Sequence, residues 1–357
     1  MLDTLKTLCY LSGVSGFEDE VRDYILERVM PHADSVSADS MGNLIVFKKG
    51  AVTPPQKIMV CAHMDEVGLI VTGITDEGYL RFGCVGGIDR RVLIGKRVFV
   101  GADRVAGIIA IKAIHQTSAD EEGKVPAVED LYIDIGCPDK ASAEKYTALG
   151  DFVCFDDTVV EFGEGWLKAK AIDDRVGCAA AVKLIESELP CDTWFVFSVQ
   201  EEVGARGAGV AAHRLAPDVS LVLEGTTATD LPGIPDSKRI CTAGNGIVIP
   251  FMDSGTVYDK AMFAALTAIA DEKGIKWQTK TRVAGGTDGY SIQRSRSGVH
   301  TAAVSCAVRN IHSPACVLKI RECDDMLSLA MAFLEKCASG ELVFCLDLIF
   351  GAYNCMR

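Results

Sequence analysis

The sequence contains no CxxC pair, no apolar run long enough to cross a bilayer and no excess of positive charge. Each absence excludes something. Fourteen cysteines without paired spacing do not make a disulfide framework. Most of them lie in apolar runs, as at Cys61, Cys154, Cys178 and Cys306, where cysteine behaves as a small hydrophobe. The start of the chain lacks a basic n-region followed by an apolar h-region. Leu2, Leu5 and Leu8 fall instead at helical spacing, so Met1–Leu11 reads as a helix. A bilayer span needs about 20 apolar residues, and none is present, so no membrane partner is expected. A net charge of −13 leaves no cations to spare for phosphates, which argues against nucleic acid. These features point to a cytoplasmic protein with reduced thiols.

What is present is a core-forming chain of 357 residues, 49% hydrophobic and 24% charged, long enough for one large domain or two. After the first helix, Ser15 and Glu18 form a capping-box pattern that opens a second helix through Val21, Tyr24, Ile25 and Val29. Val36–Asp39 and Asn43–Lys48 read as a hairpin, and Lys57–Ala62 as a strand buried on both faces. From Leu69 to Gly165 the character changes. Short β-like runs (Tyr79–Phe82, Arg91–Leu93, Arg97–Val100, Val105–Ile111, Leu131–Ile135) alternate with glycine-rich turns. One helical segment lies near Ala141–Leu149. That pattern fits a small β-barrel or sandwich. From Trp166 strands and helices alternate again. The expected fold is α/β: an open mixed sheet with helices on both faces, formed by 1–68 and 166–357, with a β-rich domain inserted at 69–165.

In open α/β sheets the functional side chains gather beyond the carboxyl ends of the strands. Lys57–Ala62 is followed by His63 and Asp65, and Leu167–Ala171 by Asp173 and Asp174. Thr193–Val199 is followed by Glu201 and Glu202, Val219–Leu223 by Glu224, and Thr301–Val308 by His312. Any one of these alone is better explained as a structural histidine, a helix cap or a surface acid. Five strand ends that all finish in metal-competent groups form a constellation. Two histidines and several carboxylates suit a pair of hydrolytic Zn²⁺, Co²⁺ or Mn²⁺ ions sharing a carboxylate. Neighbouring residues on an extended segment point to opposite sides, so Glu201 and Glu202 can divide proton transfer and metal binding between them. Asp65, two positions after His63, is suited to accept the second imidazole N–H.

The segments Ala62-His63-Met64-Asp65-Glu66-Val67-Gly68, Lys170–Gly177, Gln200–Gly204, Gly285-Gly286-Thr287-Asp288 and Arg309–Pro314 resemble those of the M42 metallo-aminopeptidases. These are glutamyl and leucyl aminopeptidases that assemble into tetrahedral particles, and the likeness runs from about residue 1 to 337. The resemblance implies a dinuclear zinc-peptidase fold in which Asp173 bridges two divalent ions. Glu202 and His312 would complete one site, and His63 and Glu224 the other. Glu201 would be the general base and Asp65 the orienter of His63. It also implies a cis peptide between Asp173 and Asp174, an inserted domain used in assembly, and a homo-oligomer from dimer to dodecamer. Many relatives carry aspartate where this chain has Glu224.

The activity so implied is removal of N-terminal residues from short peptides with a free amino terminus. Glu201 would deprotonate a water bridging the two ions and return the proton to the leaving amine. A dinuclear deacylase or carboxypeptidase would need a basic clamp, with Arg90, Arg91, Arg175, Arg206 and Arg282 as candidates. A glycosidase or a non-catalytic assembly protein fits the ligand set poorly. Beyond the amphipathic helix Ile320–Ala338, the segment 342–357 carries Val343, Phe344, Leu346, Leu348, Ile349 and Phe350. These are too many apolar groups to leave in water, so packing against the catalytic domain or a subunit interface is expected.

Overall fold

The computed structural model describes residues 1–118, 123–156 and 158–344. In chain order the elements are α1 (Leu2–Tyr10), α2 (Asp19–Val29), β1 (Ser35–Ala38), β2 (Leu44–Lys48) and β3 (Ile58–His63). Then come β4 (Gly68–Ile74), β5 (Leu80–Val85), β6 (Arg97–Val100), β7 (Val105–Ala110), β8 (Tyr132–Asp134), α3 (Lys140–Ala143) and β9 (Phe152–Phe155). The third stretch holds β10 (Val160–Phe162), β11 (Trp166–Ala169), α4 (Ile172–Glu186), β12 (Thr193–Ser198), α5 (Arg206–Leu215) and β13 (Val219–Thr227). The last holds β14 (Ile247–Val248), α6 (Lys260–Lys273), β15 (Trp277–Gln278), α7 (Gly289–Ile292), β16 (His300–Arg309), β17 (Cys316–Lys319) and α8 (Ile320–Ala338).

β12, β3, β13 and β16 lie side by side and parallel at the centre of an 11-stranded mixed sheet. Alternation along β3 explains why this centre is apolar on both faces. Ile58, Val60 and Ala62 join one core with α1, α2, α4 and α8, while Met59 and Cys61 join another with Ala208, Ala211 and Ala212 of α5. Sequential parallel pairing sends the carboxyl ends of β12, β3 and β13 to the same edge. β4, β5, β8, β7, β6 and β9 close into a barrel with its own core of Leu69, Leu80, Val98, Ile109, Ile133 and Val153. β10 already pairs with β11 on the large sheet. No described helix is long and apolar enough to cross a membrane.

Four local expectations need correction. Arg91–Leu93 is not a strand: Arg90–Val92 forms a single 3₁₀ turn because the Asp89 carboxylate accepts the Arg91 N–H. The helix expected near Ala141–Leu149 is the single turn α3, held at its start by Asp139. Ser15 and Glu18 do not make a capping box. The Ser15 hydroxyl donates to Asp65 at 2.6 Å, and the Glu18 carboxylate accepts from the Gly16 and Gln200 N–H groups. Finally, Glu224 lies inside β13 and not beyond its end, because pairing with β16 continues to Thr227.

Of the apolar tail, Val343 stays exposed and Phe344 packs. Phe344 is buried, stacks on Phe333, and exchanges two hydrogen bonds with the Gln56 side chain at 2.7 and 2.8 Å. Leu346, Leu348, Ile349 and Phe350 lie outside the described residues. Phe344→Ala removes a buried ring from this seam and should lower stability by about 3 kcal/mol. Urea unfolding followed by tryptophan fluorescence measures it; an unchanged midpoint would remove this contact from the fold.

Candidate metal centre

Five chain segments converge at the carboxyl edge of the parallel strands. β3 delivers His63, and the turn that follows it delivers Asp65, both nearly inaccessible to solvent. After β12 the chain turns at Gln200, whose φ of 58° breaks the strand and releases Glu201 and Glu202 toward the edge. β13 supplies Glu224, the start of α4 supplies Asp173 and Asp174, and the left-handed loop after β16 supplies His312. The Asp173–Asp174 peptide is cis.

Asp173 sits between the two histidines. One of its oxygens is 3.3 Å from His63 Nε2 and the other is 3.6 Å from His312 Nε2. His63 Nε2 also lies 3.2 Å from Glu224, and His312 Nε2 lies 3.2 Å from Glu202. The remaining ring nitrogens are held from behind. His63 Nδ1 lies 3.0 Å from the Asp65 carbonyl oxygen and 3.3 Å from its carboxylate, while His312 Nδ1 lies 2.8 Å from the Gly87 carbonyl oxygen. Each Nε2 therefore faces the carboxylates. Glu201 Oε2 stands 4.0 Å from His63 Nε2 at the mouth of the cluster.

Two groupings bring ligand atoms within 4.8 Å of one another: His63, Asp173 and Glu202, and His63, Asp174 and Glu224. They differ from the pairing expected from the sequence: both contain His63, neither contains His312, and the second brings in Asp174. Asp174 already accepts the His63 and Gly177 N–H groups, at 3.2 and 2.8 Å, so its oxygens are engaged in holding β3 to α4. Glu224 is the reverse case. Both of its oxygens are buried, and among the described residues neither accepts a hydrogen bond. A buried carboxylate in that state is costly unless a cation meets it, so these residues fit a metal ion.

The proton affinities follow. Burial, reinforced by Asp173, pushes Glu202 up to about 8 against the pull of His312. Burial and the charge of Asp174 likewise raise Glu224 well above an ordinary carboxylate. Glu201 is raised by burial and by the charge of Asp288. Burial acts downward on His312, but its bond to Asp173 and the charge of Glu202 prevail and carry it to about 9. Asp65 is an exception. The His63 imidazole, the Ser15 hydroxyl and the Glu201 N–H outweigh its burial and keep it below the usual range.

Residues 42–329 match the family model described as M42 glutamyl aminopeptidase. The chain belongs to that family. It is 37% identical over 316 residues to a putative aminopeptidase of Acetivibrio thermocellus, covering 88% of this chain and 92% of the relative. It is 30% identical to the lysyl aminopeptidase of Pyrococcus furiosus, with 94% and 96% covered. The glutamyl aminopeptidase of Lactococcus lactis is also 30% identical, with 94% and 95% covered. Among solved structures, aminopeptidase APDkam598 from the archaeon Desulfurococcus kamchatkensis superposes with a TM-score of 0.89 at 34% identity, covering 97% and 98%. The Pyrococcus horikoshii TET1 peptidase, which assembles into a tetrahedron or an octahedral shell, gives 0.82 at 32%, covering 93% and 98%.

Sequence reasoning missed the supports of the site. Ser15 was read only as a helix cap, and Gly87 and Ser198 carry no motif of their own, yet they hold Asp65, His312 and Asp288. Glu66 takes hydrogen bonds from Lys170 and Arg175, both fully buried, which ties the two ligand-bearing turns together. Arg175 is therefore no clamp for a substrate carboxylate. Arg206 and Arg282 are turned to Gln200 and Ser237, and Arg91 to Asp89.

Cation binding must displace the protons held by Glu202 and His312. Affinity for Zn²⁺ or Co²⁺ is therefore expected to rise with pH through 8 to 9, with protons released on loading. Titration of chelator-stripped protein with metal in weak buffer containing a pH indicator reads this directly; uptake without proton release would contradict it.

Proposed function

We infer that the chain is an aminopeptidase whose site holds two divalent ions. One observation carries the reading: the oxygens of Asp173 face one histidine each, and each histidine has its own glutamate. Asp173 would be shared, with Glu202 and His312 on one side and His63 and Glu224 on the other. Zn²⁺, Co²⁺ or Mn²⁺ held there supplies Lewis acidity to a peptide carbonyl and acidity to water.

The chain's own residues do the rest. The acidic cluster draws in the free ammonium of a short peptide, which orients its first carbonyl toward the two ions. Glu201 accepts the proton of the attacking water and passes it to the departing amine as the C–N bond breaks. Its raised proton affinity suits both halves of that exchange. Asp65 acts at one remove. It accepts the Glu201 and Glu202 N–H groups at 2.9 and 3.1 Å and fixes the turn that carries base and ligand. The β-rich insert at 69–165, which contains the barrel, serves assembly into a homo-oligomer, in keeping with the particles its structural relatives form.

Glu201→Gln should lower kcat on free-amine aminoacyl anilides by at least about 10³-fold while metal content stays at the wild-type level. Chelation should abolish turnover reversibly, and N-acetylation of the substrate should block it. Measured turnover in the variant, with metal bound, would sink the role of Glu201.

A further inference from the structure

Lys280 stands apart from the other basic residues. It is only 3% exposed, and among the described residues no carboxylate lies within 4.0 Å of it. Its ammonium donates to the Ala284 carbonyl oxygen at 3.1 Å. An ammonium has three protons to give, and a buried charge without a counter-ion is costly. The carboxylates whose field reaches it are Asp253, Glu224 and Asp173. Asp253 is already committed to the Gly255 and Thr256 N–H groups and the Tyr258 hydroxyl. Glu224 and Asp173 belong to the metal centre.

The loop that starts at Lys280 leaves room in front of the ammonium. A side chain built on Gly285 would meet only Lys280 Nζ, at 3.9 Å, and one built on Gly286 would meet nothing within 4 Å. Both glycines are exposed. The loop then returns to the site at Asp288, which bonds Ser198 and whose charge acts on Glu201. One loop thus brackets the cluster, with a buried cation at one end, a small-residue window beside it and a buried acid at the other.

We propose that Lys280 determines specificity, its ammonium pairing with the side-chain carboxylate of a peptide whose first residue is Glu or Asp. The assignment rests on the aminopeptidase reading and goes beyond family membership, because relatives of nearly equal identity include both a lysyl and a glutamyl aminopeptidase. A first-residue carboxylate supplies the counter-ion that the fold withholds from Lys280, and a charge-assisted bond in a dry pocket discriminates strongly. A first-residue lysine would set two ammonium groups against each other.

The test is kcat/KM on Glu-, Asp-, Leu- and Lys-anilides for the metal-loaded wild type, Lys280→Met and Lys280→Glu. The wild type should prefer Glu and Asp over Leu by at least about tenfold. Lys280→Met should lower the ratio of the Glu value to the Leu value by about 100-fold. Lys280→Glu should move the preference toward Lys. An unchanged Glu-to-Leu ratio in Lys280→Met overturns the assignment of Lys280 alone. Should the variants not fold, the wild-type panel and inhibition by free glutamate against free leucine decide, and a preference for Leu or Lys overturns the proposal. Silence of the wild type on every free-amine anilide overturns the aminopeptidase reading, and this assignment with it.

Discussion

The structure depends on one electrostatic constraint: a group of carboxylates buried at a single sheet edge, with two imidazoles among them. Two charges about 4 Å apart interact by about 4 kcal/mol at an effective dielectric of 20, and a hydrogen bond to a charged group returns only about 1.5–3 kcal/mol. Asp65 and Asp174 meet the cost with backbone N–H donors, and Asp65 with the Ser15 hydroxyl as well. Glu224 has only the His63 imidazole beside it, at 3.2 Å, and among the described residues no hydrogen bond reaches its oxygens. The buried cations Lys170 and Arg175 are spent on Glu66 one layer below, so they leave the charge of the cluster standing. A cation among these carboxylates would offset that charge, and the cluster offers the donor set to hold one.

Backbone crowding then dictates where small residues must stand. A Cβ on Gly225 would fall 2.9 Å from Asp173 Cβ, and one on Gly177 would fall 2.5 Å from an Asp174 oxygen. Any side chain at either position would push a carboxylate-bearing residue away from the histidines. These glycines are thus part of the site although neither carries a functional group. The same logic reaches the far side of the cluster. His312 sits on a left-handed loop and takes its orientation from Gly87, which belongs to the segment between two barrel strands. The barrel segment therefore reaches the centre through that carbonyl oxygen and through Gly86, where a Cβ would fall 3.3 Å from Glu202 Cβ.

Much of this was legible in the sequence, for identifiable reasons. Strand-length apolar runs ending in His or acidic residues expose both the sheet and its active edge, since burial on two faces and polarity at the tip leave opposite marks on composition. Ile320–Ala338 is read to the residue because an amphipathic period sustained over five turns has no competing explanation. The failures share a cause. Ser15 and Glu18 match a capping box locally, but Asp65 and Gln200, distant in sequence, claim their side chains. Arg91–Leu93 has strand propensity, yet the Asp89 side chain bonds the backbone first. Glu224 seems to end a strand only because composition does not record that β16 pairs onward to Thr227. Gly87 and Lys280 act through a carbonyl and through isolation, and neither leaves a local pattern.

The two halves of the centre are not equivalent. His63 is 1% exposed in its side chain and hemmed in by β3, β13 and α4, whereas His312 is 33% exposed. His312 borders a cleft of about 550 Å³ between the barrel segment carrying Gly87, Arg91 and Lys96 and the loop 310–315. The enclosed half is set by strand pairing and cannot shift without disturbing the parallel core. The open half is set by the loop that carries His312 and by Gly86 and Gly87 of the barrel segment, and it faces solvent. That cleft gives peptide and departing amine a way past His312. The enclosed side, with Glu224 and the field of Lys280, is left to fix the first residue. Firm positioning at the amino terminus and freedom beyond it are what an enzyme needs when it removes one residue from chains of many sequences.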